Sequence, residues 1–246
     1  MKVAVINFSG NVGKTTIARH LLLPRMPGAE LVSIESSNAG SERGPTLRGR
    51  QFAELQEYLQ TINSAVVDIG ASNIEDLLDL MQQYSGSHND FDFFIVPTVP
   101  AVKQQQDTIA TLVDLAQLGV IPSRLKILFN MVQRGTTVEQ AFYLLLAFLA
   151  EQPIATSDTA CRLRENEIYA RLRRTKLSMS ELAADQTDYK ALIAKAPDSP
   201  TKIDLAQQLA TQRLALGVLP ELDSCFAALH LGAQSSPPRR ATKQAS

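Results

Sequence analysis

The sequence lacks tryptophan, contains only two cysteines, and has almost no net charge. Its 246 residues include 24 Lys or Arg and 25 Asp or Glu, which leaves a net charge of −1. A balance this even gives no general attraction to nucleic acid or to a membrane surface. Cys161 and Cys225 are far apart in the sequence and lack metal-ligand spacing. We therefore expect two reduced thiols in a cytoplasmic protein.

Long hydrophobic runs are also missing. The longest, Ala141 to Ala150, is too short to cross a bilayer and predicts a buried helix. We expect no signal peptide, because an apolar strand begins at Lys2. The apolar content of 45% is ordinary for a globular protein, and the length suits one large core, alone or with an appended helical lobe.

The first twenty residues carry the strongest pattern in the chain. Lys2 to Asn7 is a short apolar run that predicts a buried parallel strand. Phe8 to Thr16 is a glycine-containing loop, and Thr15 to Leu23 predicts a helix that Pro24 stops. Strand, glycine loop, Gly-Lys-Thr and helix together form the layout of a P-loop. A chance match in a surface turn is disfavoured, because the motif lies directly between a buried strand and a helix.

This layout favours phosphate binding for physical reasons. Glycines let backbone N–H groups wrap around a phosphate, and the N-terminus of a helix adds the positive end of its dipole. Lys14 can neutralise phosphate charge, and the Thr15 hydroxyl can bind Mg²⁺. The candidate nucleotide-binding residues of the loop are Ser9, Gly10, Asn11, Val12, Gly13, Lys14, Thr15 and Thr16.

Further apolar runs alternate with segments of helical periodicity. This alternation predicts an α/β fold with a doubly wound, mainly parallel sheet and helices on both faces. The predicted strands are Glu30 to Ile34, Ser64 to Ile69, Phe91 to Val96, Leu125 to Phe129 and a short one at Pro153 to Ala155. The predicted helices are Leu47 to Gln60, Ile74 to Tyr84 with Asn73 as its N-cap, Val102 to Leu118 and Val138 to Leu149.

Polar residues end several of these strands, at the edge of the sheet where ligands bind in such folds. Asp68 ends an apolar strand, which is the Walker B layout, and its carboxylate would order the shell of a Mg²⁺ ion. Asn130 ends another strand and suits either recognition of an adenine edge or a turn. Glu35 opens a long polar stretch after the second strand.

The chain changes character after residue 155. We expect a nucleotide-binding core at 1–155, a helical region at 156–231 that packs on it, and a disordered tail at 232–246. Breaks in the helical region are predicted at Pro197, at Pro200 and between Gly217 and Pro220. A dense basic stretch from Arg162 to Lys176 favours a solvated helix face, with contact to DNA or a partner as the alternative.

The sequence Ser9-Gly10-Asn11-Val12-Gly13-Lys14-Thr15-Thr16 resembles the deviant P-loop K-G-G-V-G-K-T-T of the ParA/MinD superfamily of ATPases. The opening of the chain is most similar to that of StbB-type plasmid stability proteins. The resemblance implies a P-loop NTPase fold that binds ATP and Mg²⁺, with Thr15 and Asp68 at the metal and Asn130 at the adenine. It also implies cytoplasmic roles in plasmid partition and conjugation, with a small plasmid-encoded DNA-binding partner and a nucleotide-dependent homodimer.

The chain departs from this family at two positions. Ser9 stands where the family has its signature lysine, and Ser37 stands where the family has the second Asp that positions the attacking water. Glu35 keeps a carboxylate at the first Asp position, so the catalytic candidates are Lys14, Glu35 and Asp68. The resemblance therefore implies a slow or partner-stimulated ATPase. The alternatives are a nucleotide-binding scaffold without hydrolysis and a metabolic kinase or synthetase, such as relatives of dethiobiotin synthetase.

Overall fold

The computed structural model describes residues 1–34, 49–173 and 177–232. Its centre is a sheet of six parallel strands in the order β2-β3-β1-β4-β5-β6. The strands are β1 (Lys2–Val5), β2 (Glu30–Ile34), β3 (Ala65–Ile69), β4 (Phe93–Thr98), β5 (Leu125–Val132) and β6 (Arg162–Arg164). The sheet confirms the predicted α/β class, because the inner strands are the continuous apolar runs that burial on both faces requires.

Helices cover both faces of the sheet. They are α1 (Lys14–Thr16), α2 (Gly49–Thr61), α3 (Ile74–Gln83), α4 (Val102–Gln117), α5 (Val138–Ala141), α6 (Tyr143–Glu151), α7 (Ile168–Leu172), α8 (Met179–Ala184), α9 (Tyr189–Lys195) and α10 (Ser199–Ala228). The helices α2 to α6 pack on one face, and α7, α8, α10 and the segment that continues α1 pack on the other. The first helix continues beyond Thr16 through a π-type segment at Ile17–Leu22 and a 3₁₀ turn at Leu23–Arg25.

The last strand and the last helix differ from the prediction. Pro153 to Ala155 is not a strand, although Thr156 forms an isolated bridge with Lys126; the sixth strand is Arg162–Arg164 instead. The helix α10 runs from Ser199 through Gly217 and Pro220 without ending at either. Packing overrides these helix-breaking signals, because the same face of α10 buries Ala215, Val218, Leu222 and Cys225.

The predicted helix over Val138 to Leu149 is two helices that meet at Phe142. The expectation that its apolar run is buried was wrong in part. Leu145 and Leu149 are buried, but Tyr143 is 60% exposed and the helix lies in the outer layer. A run with apolar residues on all sides does not indicate which side faces the core.

Helix α4 carries three buried polar side chains in addition to its apolar face. Gln105, Thr108 and Thr111 recur every three residues and face the sheet. The amide of Gln105 donates to the carbonyls of Pro100 (2.7 Å) and Ala141 (3.1 Å) and accepts from the Leu145 N–H (3.2 Å). This one side chain therefore joins the start of α4 to the start of α6.

We predict that Gln105→Ala lowers the free energy of unfolding by about 3 kcal/mol, because it leaves buried partners without hydrogen bonds and opens a cavity. Urea denaturation measures this loss. Gln106→Ala is the matched control, because Gln106 is exposed on the same helix. Equal stability of the two variants would contradict the role assigned to Gln105.

Candidate functional site

The loop between β1 and α1 lies at the carboxyl edge of the sheet, between two neighbouring strands. The strand β1 pairs with β3 on one side and with β4 on the other, and Val5 lies opposite Asp68. The start of the helix also lies next to β3. The topology therefore brings the loop and the aspartate together, as the strand-end pattern in the sequence implied.

Asn7 fixes the start of this loop, and sequence reasoning gave it no role. Its side chain is fully buried and donates to the Pro97 carbonyl and to the Thr108 hydroxyl, both at 2.8 Å. Its amide oxygen accepts the backbone N–H of Ser9 at 2.7 Å. One residue thus joins the end of β1, the end of β4 and the buried face of α4. The only signal in the sequence is a polar residue at the end of an apolar run.

Helix α4 makes a second contact with the loop. The hydroxyl of Thr111 accepts the Phe8 N–H at 3.1 Å. The hydroxyl of Thr108 donates to the carbonyl of Gln104 and accepts from the hydroxyl of Thr98 at 3.1 Å. The Thr111 hydroxyl therefore gives a partner to a part-buried backbone N–H of the loop.

Lys14 folds back over the loop. Its ammonium donates to the carbonyl of Asn7 at 2.9 Å and to the carbonyl of Ser9 at 2.7 Å, and the side chain is buried. Burial lowers the pKa of Lys14 to about 8, and the nearby Asp68 opposes that shift. The carbonyl dipoles and the one carboxylate therefore compensate only part of the cost of burying this charge.

The backbone of the loop adopts conformations that its sequence permits. Gly13 has φ +91°, and Asn11, a residue type that tolerates the left-handed region, has φ +58°. A Cβ atom at Gly13 would lie 2.4 Å from Nδ2 of Asn130. The position requires glycine for its dihedral angle and for this close approach.

Asn130 braces the loop from the other side. Its Nδ2 donates to the carbonyl of Val12 at 2.9 Å, and the side chain is buried. The next residue, Met131, has φ +55°, where the pairing of β5 with β6 shifts register between Phe129 and Val132. The structure is therefore compatible with both roles that the sequence suggests for Asn130, namely a turn residue and a residue that recognises an adenine edge.

The remaining predicted residues fall around this centre. Asp68 is buried near the end of β3. The loop after it is bound to the end of β2, because the carbonyl of Ile34 accepts the Gly70 N–H at 2.9 Å and the side-chain amide of Asn73 at 3.2 Å. Asn73 is the N-cap residue of α3 as predicted, but its side chain makes no capping bond. Gly10, Asn11 and Thr15 are exposed, Thr16 is partly buried, and Ser9 and Val12 are buried.

Some predicted residues lie outside the described ranges. Among them are Glu35 and Ser37, and also residues 174–176 of the basic stretch. The described part of that stretch is not one helix face. Arg162 and Arg164 lie on β6, whereas Arg171 on α7 pairs with Glu167 and donates to Thr211.

A cavity of about 550 Å³ opens beside the loop. Gly13, Thr16 and Asn130 form its wall on the loop side, and Tyr169 lies on the α7 side. Three cations also line it, namely Arg134, Arg164 and Arg173. Its volume is in the range of small-molecule pockets, and its position continues from the loop. Sequence reasoning missed Arg134 and Tyr169, because nothing in their local sequence marks them.

The donor set suits a hard cation and a polyphosphate. Thr15 and Asp68 supply a hydroxyl and a carboxylate oxygen, which are ligand types that Mg²⁺ accepts together with water and phosphate oxygens. The incompletely compensated ammonium of Lys14 suits an anion. In the described part of the chain, no group of three or more His, Cys, Asp or Glu could hold a metal without such a ligand. Nor does any described helix have the length and apolar character needed to cross a membrane.

No protein-family model matches the sequence, and a comparison with curated proteins finds no match. Among solved structures, the chain is similar to apo McdA from Cyanothece, with 16% identity over 88% of this chain and 99% of that chain and a TM-score of 0.49. MinD from Aquifex aeolicus shows 15% identity over 85% and 96% of the two chains, with a TM-score of 0.49. MinD from Pyrococcus horikoshii, complexed with Mg-ADP, shows 14% identity over 89% and 95%, with a TM-score of 0.43. Likeness at this level does not assign a function, which has to be argued from the site.

We predict that the stability of the wild type rises with pH relative to Lys14→Met. Because the folded pKa of Lys14 is about 8 and the ordinary value is 10.5, the unfolded chain binds more protons between these values. The cost of the buried charge is therefore complete below pH 8 and falls as the pH rises toward 10.5. The gain over Lys14→Met is at most about 3 kcal/mol.

Urea unfolding of both proteins from pH 7 to pH 10 measures this difference. Lys103→Met is the matched control, because Lys103 is exposed, and its difference from the wild type should stay flat with pH. A flat difference for Lys14→Met as well would show that the ammonium is not buried.

Proposed function

We propose that this protein binds Mg-ATP and acts as a nucleotide-dependent switch of the ParA/MinD type. The observation that carries the proposal is the buried ammonium of Lys14, which loop carbonyls hold in the field of Asp68. The preceding residue of the same loop, Gly13, lines a large cavity. A buried cation with incomplete compensation is a binding site for the anion that completes it. Its place between a buried strand and a helix makes polyphosphate the best match.

The nucleotide would lie across the loop and the cavity. Its phosphates would contact the backbone from Gly10 to Thr16, and Lys14 would exchange a carbonyl partner for a phosphate oxygen. Thr15 and Asp68 would hold Mg²⁺, which supplies charge neutralisation between the phosphates. The base and ribose would enter the cavity, where Asn130 offers amide groups to an adenine edge.

Hydrolysis is proposed to be slow or to depend on a partner. Ser9, at the family's lysine position, is buried. Among the described residues, its backbone N–H donates to Asn7 and its carbonyl accepts from Lys14. It supplies no positive charge to a γ-phosphate. Phosphoryl transfer depends on charge stabilisation and on a positioned water, so the loss of this ammonium lowers the rate. A nucleotide-binding scaffold without hydrolysis is the second candidate, and the buried serine favours it.

The biological role is proposed from the resemblance of the opening sequence to StbB-type proteins. In that role the chain supports plasmid stability, partition and conjugative transfer in the cytoplasm. It works with a small plasmid-encoded DNA-binding protein and forms a homodimer with nucleotide bound. The exposed arginines of β6 and Arg173 offer a cationic surface for contact with DNA. The division into a core at 1–155, a packed helical region at 156–231 and a tail at 232–246 is part of the same proposal.

We predict that Lys14→Ala weakens Mg-ATP binding at least 100-fold, because it removes the one ammonium that the loop encloses. Calorimetric titration of ATP and ADP into both proteins measures the change. Lys103→Ala is the control, since Lys103 is an exposed lysine on α4. Equal affinity of Lys14→Ala and wild type would refute nucleotide binding at this loop, and circular dichroism of each variant excludes unfolding as the cause of a loss.

We predict that Ser9→Lys raises the rate of ATP hydrolysis at protein concentrations that permit dimerisation. The new ammonium would restore the charge that the family carries at this position. Phosphate release under saturating Mg-ATP measures the rate, and Ser9→Met is the control for side-chain length without charge. An unchanged rate in both variants, with ATP affinity intact, would contradict the alignment of Ser9 with the signature lysine and favour the scaffold.

A further inference from the structure

The two cysteines of the chain meet in the folded protein. Cys161 and Cys225 are separated by 64 positions, yet their sulfur atoms lie 3.8 Å apart. Both side chains are buried, at 1% and 0% exposure. The sequence analysis predicted two separate reduced thiols, since separation along the chain does not indicate whether two residues meet in the fold.

Two buried cysteines meet by chance only in a minority of cases. A core residue touches roughly 6–12 others, so two cysteines placed at random among the buried residues would meet about once in seven cases. Other small apolar residues would fill the same space without the reactivity of two thiols. The contact therefore makes thiol chemistry between the two cysteines worth considering.

The two residues belong to different parts of the fold. The backbone of Cys161 is fixed at the edge of the sheet, where its carbonyl accepts the Phe129 N–H at 3.0 Å and its N–H donates to the Asp158 carbonyl at 2.8 Å. Cys225 lies on the last turns of α10. A bond between them would join the sheet to the C-terminal helix, and it requires the two sulfurs to approach from 3.8 Å to the roughly 2.05 Å of a disulfide.

A cavity lies beside the pair, although neither cysteine lines it. A cavity of about 490 Å³ is lined by the neighbours of both cysteines, Ala160 and Arg162 on one side and Glu221 and Ser224 on the other. Lys126 is buried close enough to Cys161 to favour its thiolate. The contact with Cys225 and burial nevertheless raise the pKa of Cys161, so reaction at neutral pH is slow and accelerates with pH.

We propose that Cys161 and Cys225 form a reversible intramolecular disulfide under peroxide, which locks α10 to the edge of the sheet. One thiolate attacks hydrogen peroxide, the O–O bond breaks, and a sulfenic acid and hydroxide form. The second thiol then attacks the sulfenic sulfur, the S–S bond forms, and water leaves. In sum, two thiols lose two hydrogen atoms and one peroxide becomes two waters.

The lock would act on the wall of the larger cavity. Arg164 on β6 lies three residues after Cys161 and lines that cavity. Its backbone N–H donates to the carboxylate of Glu221, one turn before Cys225. Tyr169, on the same wall, has a pKa raised by burial and by the nearby Glu221 and Cys225. The disulfide would therefore restrict the movement of Arg164 and Tyr169 at this side of the cavity. An effect of the disulfide on nucleotide affinity rests on the function proposed above, whereas formation of the disulfide does not depend on that function.

The test uses the full-length reduced protein treated with hydrogen peroxide. After removal of peroxide, remaining thiols are alkylated in denaturant, and the digest is analysed by mass spectrometry. We expect a cross-linked peptide pair containing Cys161 and Cys225, a monomer on a non-reducing gel, and recovery of both thiols with dithiothreitol. Closing a loop of this length should raise Tm by roughly 5–10 °C.

Two controls make the result decisive. The same treatment in urea should give few internal cross-links, because the fold no longer holds the sulfurs together. Cys225→Ala and Cys161→Ala should show no peroxide-dependent rise in Tm, and the peptide map of the wild type does not depend on either variant folding. Both thiols remaining free, cross-links only between chains, or a disulfide without a rise in Tm would each overturn the proposal.

Discussion

The bond network around Asn7 is the constraint on which the site depends. Its buried amide joins three elements, namely β1, β4 and α4. Because this amide fixes the backbone of residues 7–9, two carbonyls lie where the ammonium of Lys14 reaches both. A loop free to move would lose those acceptors and leave a charge without partners. The shape of the loop therefore comes from the sheet and α4 as much as from its glycines.

The sequence predicted the sheet well wherever strands are buried on both faces, because such strands are continuous apolar runs. It predicted the edge strand β2 as well, but it failed at the opposite edge of the sheet. The strand β6 is Arg162-Leu163-Arg164, and only its central residue is buried, so no apolar run marks it. It also failed at Gly217 and Pro220, where local preference for a break competes with a long apolar face of α10 and loses.

The candidate site likewise combines residues that a local sequence pattern identifies with residues that only long-range contacts bring together. The segment Gly13-Lys14-Thr15 is a local pattern, and its strand and helix context identified it. The residues that hold it come from far along the chain: Asn7 bonds to partners 90 and 101 positions away, and Asn130 bonds to one 118 positions away. No periodicity or spacing encodes such pairs. The cavity is equally hard to predict from the sequence, because Arg134 and Tyr169 line it together only once the chain has folded.

The energetics of Lys14 connect the fold to the proposed function. Two carbonyl dipoles and the field of Asp68 stabilise the buried ammonium, yet its pKa stays at about 8, well below the ordinary 10.5. The folded protein therefore retains an unfavourable electrostatic energy at this position. A polyphosphate relieves that energy on binding, because it brings full negative charge where the protein offers only dipoles and one carboxylate.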